Sequence, residues 1–151
     1  MDFQHTDDRR MLADALDRWV AQAYTFDTRM ALLQTEAGHS PQLLQQLGEL
    51  GAIGALFTEA QGGLAGSGFD IAVVCEALGK GLVTEPLLPS ALMAGGALAA
   101  AGAAETAHPH APLLAAIQSG EALATLAHFE TGGHHDAQHV QTTRSEEHTS
   151  E

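Results

Sequence analysis

Apolar residues return at alternating steps of four and three along the first part of the chain: Leu12, Leu16, Trp19, Ala23, Phe26, Met30 and Leu33. That spacing puts all seven on one stripe of an α-helix, because residues three and four apart share a face. Thr6 is placed to cap the start, and Asp7 and Asp8 fall in the first turn, where the helix dipole favours anions. The pattern predicts one long helix packed on its neighbours and ended by Gly38 and His39. Ser40 and Pro41 then restart the chain as N-cap and first helical residue. Leu43, Leu44, Leu47 and Leu50 give this second, short helix its buried face, and Gly51 stops it.

From Gly51 to Gly68 the apolar residues lose helical spacing, and Gln61-Gly62-Gly63 and Gly66-Ser67-Gly68 are turn punctuation. An ordered loop is expected there. A third helix is predicted over residues 69–82, burying Ile71, Val74, Cys75, Leu78 and Leu82, until Glu85-Pro86 breaks the run. An alanine-rich helix follows from Ser90 to about Gly102, then a short last helix over residues 112–119 ended by Gly120. Residues 122–129 are a short apolar run closed by the turn Thr131-Gly132-Gly133, which reads as a strand. About five helices thus precede a single strand. A lone strand exposes its backbone donors and acceptors, so this one calls for partners.

Composition refines the picture. The chain is 45% hydrophobic but only 5% aromatic, so its core must be built from Leu, Ala, Val and Ile. Six basic against nineteen acidic residues give a net charge of −13, which repels phosphate backbones and argues against nucleic-acid binding. The single cysteine, Cys75, excludes an internal disulfide and reads as a small buried hydrophobe. No basic stretch followed by an apolar one opens the chain, so no signal peptide is expected. Residues 87–104 are uncharged but diluted by Pro89, Ser90, Gly95, Gly96 and Gly102, which argues against a membrane span. A cytoplasmic protein is expected.

Catalytic signatures are sparse. Gly63 to Gly68 lacks the order of a dinucleotide fingerprint, and Gly79-Lys80-Gly81 has no hydroxyl after its lysine, so both read as turns. His135 and His139 are four apart near His134 and Asp136, a spacing that a metal grip could use. The segment has no helical pattern and no separate anchoring carboxylate, so these read as solvated loop histidines and no metal is expected. No nucleophile elbow occurs. Glu49, Glu59, Glu76 and Glu85 read as members of solvated faces.

Several blocks in series carry a family likeness. Leu47-Gly48-Glu49-Leu50-Gly51-Ala52-Ile53-Gly54, then Glu59-Ala60-Gln61-Gly62-Gly63, then Gly66-Ser67-Gly68-Phe69-Asp70 resemble the amino-terminal domain of acyl-CoA dehydrogenases. Thr58 stands where that family usually has proline. Glu76-Ala77-Leu78-Gly79-Lys80 resembles a helix end of the family, and Gly120-Glu121-Ala122-Leu123-Ala124 its entry into a middle β-domain. Ala127-His128-Phe129-Glu130 looks like the subgroup resembling the small subunit of pimeloyl-CoA dehydrogenases.

The resemblance implies a mostly α fold. Residues 1–121 would form the helical domain and residues 122–143 the start of a truncated middle β-domain. It also implies FAD as cofactor, α,β-desaturation of an acyl-CoA, an electron-accepting flavoprotein as partner, and a homo- or hetero-oligomer. Carried over by position, it makes His128, Phe129 and Glu130 candidate flavin neighbours and His135 a candidate for the edge of the site. The base glutamate of such enzymes is expected beyond the chain end, so no catalytic residue is assigned and the chain alone is expected to be inactive. Residues 144–151 are similar to the translation of a common sequencing-adapter oligonucleotide and are set aside as an artefactual tail. The alternative reading is a stand-alone helical binding module that dimerises through the first helix.

Overall fold

The computed structural model describes residues 4–102, 109–134, 136 and 138–143. Six α-helices dominate it: α1 (Asp7–Ala23), α2 (Phe26–Leu33), α3 (Pro41–Glu49), α4 (Gly68–Lys80), α5 (Gly96–Gly102) and α6 (Ala111–Gln118). A π-helical stretch, Leu87–Gly95, runs directly into α5. Two 3₁₀ turns, Gly54–Leu56 and Glu59–Gln61, shape the loop between α3 and α4. The mostly α expectation therefore holds, and residues 144–151 lie outside the described residues.

The expected first helix is broken in two. At Tyr24 the backbone leaves helical geometry, and Thr25 caps a new helix by accepting a hydrogen bond from the Thr28 N–H at 3.2 Å. The break turns the Tyr24 ring into the core, where it is 3% exposed, packed 5.7 Å from the Trp19 ring and hydrogen-bonded to Thr84. Beyond it the apolar stripe loses its seat: Phe26 is 65% exposed, and Met30 and Leu33 are exposed too. A continuous dimerisation stripe is therefore not formed.

Helix α3 starts and ends as predicted. The Ser40 side chain accepts from the Leu43 N–H, Pro41 opens the helix, and Gly51 leaves at φ +79°. Leu44 and Leu47 are buried, while Leu43 and Leu50 are only half-buried. Helix α4 is rotated from its expected face. It packs mainly on α1, burying Val73, Val74, Ala77 and Leu78, while Ile71 is half-buried. Cys75 is exposed instead of buried. Leu82 lies past the helix end at φ +51° and is also exposed.

The alanine-rich helix begins at Leu87, three residues earlier than expected, and its first turns are π-wound. Pro89 has no N–H to donate, and the wider winding accommodates its ring. Leu16 of α1, Leu47 of α3, Ile53, Val74 of α4 and Ile117 of α6 are the largest fully buried side chains, so one core joins these helices. Among the described residues no helix is long and apolar enough to cross a membrane.

The predicted strand is not formed. Residues 122–130 are neither helix nor part of a ladder among the described residues. Period-two burial survives only at the start. Ala122 and Ala124 pack against the core, while Leu123, Leu126 and Phe129 are exposed.

Candidate functional site

The segment after α6 is fastened to the helical domain at a definite point. Buried Ser90, inside the π-helical stretch, accepts the Ala124 N–H on its Oγ at 3.0 Å. Pro86, Pro89, Ser90, Leu123, Ala124 and Thr125 enclose a cleft of 380 Å³ along this junction. From there the chain leads outward to His128, Phe129 and Glu130.

Two of these candidates lie side by side. The His128 and Phe129 ring centroids are 4.0 Å apart with their planes tilted by 38°, and Phe129 is 70% exposed. Glu130 turns elsewhere. Its carboxylate accepts the Thr142 N–H at 3.0 Å, the Thr142 hydroxyl at 2.6 Å and the Gln141 N–H. These bonds, the Thr142 hydroxyl first, hold the Glu130 carboxyl below the ordinary carboxylate range, so it stays an anionic acceptor at neutral pH. It ties Gln141 and Thr142 back to residue 130. Gly132 at φ +92°, His134 at φ +44° and the Gly133 N–H bond to the Glu130 carbonyl make the return turn.

His135 lies outside the described residues. His139 is half-buried, with its Nε2 lacking a hydrogen-bond partner among the described residues. Among the described residues no group of three His, Cys, Asp or Glu side chains is placed to hold a metal.

The glycine-rich loop is built as capping turns and close contacts. The Thr58 N–H and hydroxyl both donate to Gln61 Oε1 at 3.0 Å. A proline at 58 has no N–H and could not make the first of these bonds. Gln118 of α6 reaches back to donate to the Gln61 carbonyl at 2.8 Å. Next to this contact Thr58, Gln61, Gly62, Ala99, Leu114 and Gln118 line a cavity of 680 Å³.

Three structural anchors escaped the sequence reading. Asp70 is buried at the start of α4. It accepts from Arg9 Nε at 2.7 Å, from the Ser67 N–H at 3.0 Å and from the Ser67 hydroxyl. The Arg9 bond is the main reason its carboxyl is held below the usual range. Ser67 and Asp70, three apart, have the spacing of a capping box, which was readable. Tyr24, off the apolar stripe, carried no such signal; burial raises its hydroxyl pKa. Glu85, expected on a solvated face, is buried instead.

The architecture defines a helical domain with an extended arm pinned across its π-helical stretch. Residues 6–118 match the family described as acyl-CoA dehydrogenase, N-terminal domain, and the chain belongs to that family. It is also similar to the acyl-CoA dehydrogenase IpdE2 of Mycolicibacterium smegmatis, at 35% identity over 88 residues. That alignment covers 58% of this chain and 28% of the relative. No solved structure matches the chain.

Proposed function

We propose that the chain is the helical part of a flavin-dependent acyl-CoA dehydrogenase that desaturates an acyl-CoA between its α and β carbons. The reading rests above all on family membership, supported by an exposed ring pair presented from an arm anchored in the helical domain. The helices would wall one side of the acyl-CoA pocket. FAD, when bound, supplies the hydride acceptor of such chemistry.

The fit to a flavin is uneven among the proposed neighbours. His128 and Phe129 offer exposed rings suited to line a planar cofactor. Glu130 does not offer its carboxylate, which is occupied by the backbone and hydroxyl of the loop it closes. Its proposed part is to position that loop, with His135 at the edge of the site. No residue of this chain is proposed as the base. An electron-accepting flavoprotein, assembly with further acyl-CoA dehydrogenase-like subunits and a cytoplasmic location belong to the same proposal.

The test is to extend the reading frame past Thr143, purify the longer protein and add an acyl-CoA anaerobically. Flavin absorbance that bleaches in the longer protein is the expected result, with neither tight flavin nor bleaching from the 151-residue chain given FAD. A longer protein without flavin, or turnover by the short chain alone, contradicts the proposal.

A further inference from the structure

Residues 25–38, which carry α2, contribute no buried side chain to the fold. Of their apolar residues, Leu32 packs against the core and is itself only half-buried. Phe26, Met30 and Leu33 are exposed. Little apolar burial is lost if such a segment leaves the domain, so little opposes its opening.

Both ends of the segment are fastened at one place. Just before it, the Tyr24 ring is fixed in the core against Trp19. The Tyr24 hydroxyl accepts the Thr84 N–H at 2.8 Å, lies 2.7 Å from Thr84 Oγ1 and also hydrogen-bonds Glu85. At the far end Thr84 Oγ1 donates to the Gly38 carbonyl at 2.9 Å. Two residues on, the Ser40 N–H donates to Glu85 Oε1 at 3.3 Å. Thr84 and Glu85 therefore hold both feet of the segment together, as the ends of a compact surface loop are held.

Between the feet the tie is Arg29. Its Nη1 donates to the Gly81 carbonyl at 2.9 Å, at the carboxyl end of α4. Each foot also has a pivot. The backbone leaves helical geometry at Tyr24, and Gly38 has φ +67° with nothing within 4 Å of an added Cβ.

We propose that residues 25–38 form a strap that opens as one unit while the other helices stay closed. Opening breaks the Arg29–Gly81 and Thr84–Gly38 hydrogen bonds and withdraws Leu32 from the core. It also melts α2, whose eight residues are too few to hold a helix alone. Tyr24 stays seated against Trp19. The inference concerns a motion of the helical domain and stands apart from the flavin reading.

Amide exchange of the whole chain in graded, sub-denaturing urea tests it. The Arg29, Gln34, Thr35 and Gly38 amides, bonded within the strap, should exchange together, faster than those of α1, α3 and α4. Their rates should barely respond to urea, because opening exposes little surface. Arg29→Met should speed the Gln34, Thr35 and Gly38 amides about tenfold, the scale of a hydrogen bond from a charged donor. Arg9→Met cuts the tie between α1 and α4 and should speed those helices while leaving the strap amides unchanged. Where Arg29→Met fails to fold, the urea series on the parent chain decides. Strap amides that follow α1 and α3 in rate and urea response overturn the proposal, as do strap amides exchanging at unstructured-chain rates. So does equal acceleration of strap and α4 by Arg9→Met, or a strap indifferent to Arg29→Met.

Discussion

Gly120→Ala is expected to destabilise the chain by about 2–4 kcal/mol, from left-handed backbone strain and overpacking together. Gly120 has φ +76°, and a Cβ there would lie 2.5 Å from the Leu44 carbonyl oxygen and 2.9 Å from its carbon. Those atoms belong to the backbone of α3, so no flexible side chain can yield. The reciprocal contact is as close: a Cβ at Gly48 of α3 would fall 2.3 Å from the Ser119 carbonyl oxygen. Helix α3 and the Ser119-Gly120 turn after α6 thus meet backbone to backbone, and this contact sets where the arm after α6 departs. Gly38→Ala is the control, since Gly38 has φ +67° but nothing within 4 Å of the added carbon. It should cost only the strain, about 1–2 kcal/mol. Urea unfolding of the two variants separates the terms, and equal losses would refute the close contact.

Arg9→Met is expected to cost about 1.5–3 kcal/mol at neutral pH, the range for hydrogen bonds to a charged group. It should also remove part of the acid sensitivity of the fold. Arg9 spans from Asp70 to Ser67 Oγ, at 2.7 and 3.0 Å, and its guanidinium lies 5.3 Å from the Phe69 ring centroid. It therefore ties the first turn of α1 to that of α4. Because the Asp70 carboxyl is held below its ordinary value, its stabilising contribution is complete above the unfolded carboxylate pKa of about 3.9. It fades as pH falls through the lower folded value. The parent and Arg9→Met curves should accordingly converge in acid. A gap that stays constant from neutral to acidic pH would show that Arg9 acts only through packing.

What was legible in the chain was local. The start of α3 is written in Ser40 and Pro41, its end in Gly51, and the loop after it in spaced glycines. Each of these acts within a few residues of itself. What failed depended on partners far along the chain. The apolar stripe of α1 and α2 reads as continuous, but the helix breaks where Tyr24 finds Thr84, sixty residues on. Glu85 looks like any acidic residue before a proline, but it is buried and accepts the N–H of Ser40, forty-five residues earlier. The apolar period puts Cys75 on the buried side of α4, yet Cys75 is exposed, because period alone does not say which of two adjacent faces meets α1.

The candidate site shows the same limit. Resemblance pointed to His128, Phe129 and Glu130, and their sequence adjacency brings the two rings together. The closure of the loop by Glu130 on Gln141 and Thr142 has no local signature. The expected strand has the right composition, but strand order requires a ladder, and the Ala122 N–H goes instead to the Ala116 carbonyl and the Ala124 N–H to Ser90.

Amide hydrogen exchange across the whole chain tests most directly whether the helices close their own core while the arm beyond Gly120 is held only at points. Amides within α1, α3, α4 and α6 should exchange at the rate of global unfolding. Residues 125–128 should exchange fast, with Ala122 slowed by its bond to the Ala116 carbonyl, Ala124 by its bond to Ser90, and Gln141 and Thr142 by theirs to Glu130. Protection of residues 122–129 equal to that of α3 would show a paired strand and contradict the account.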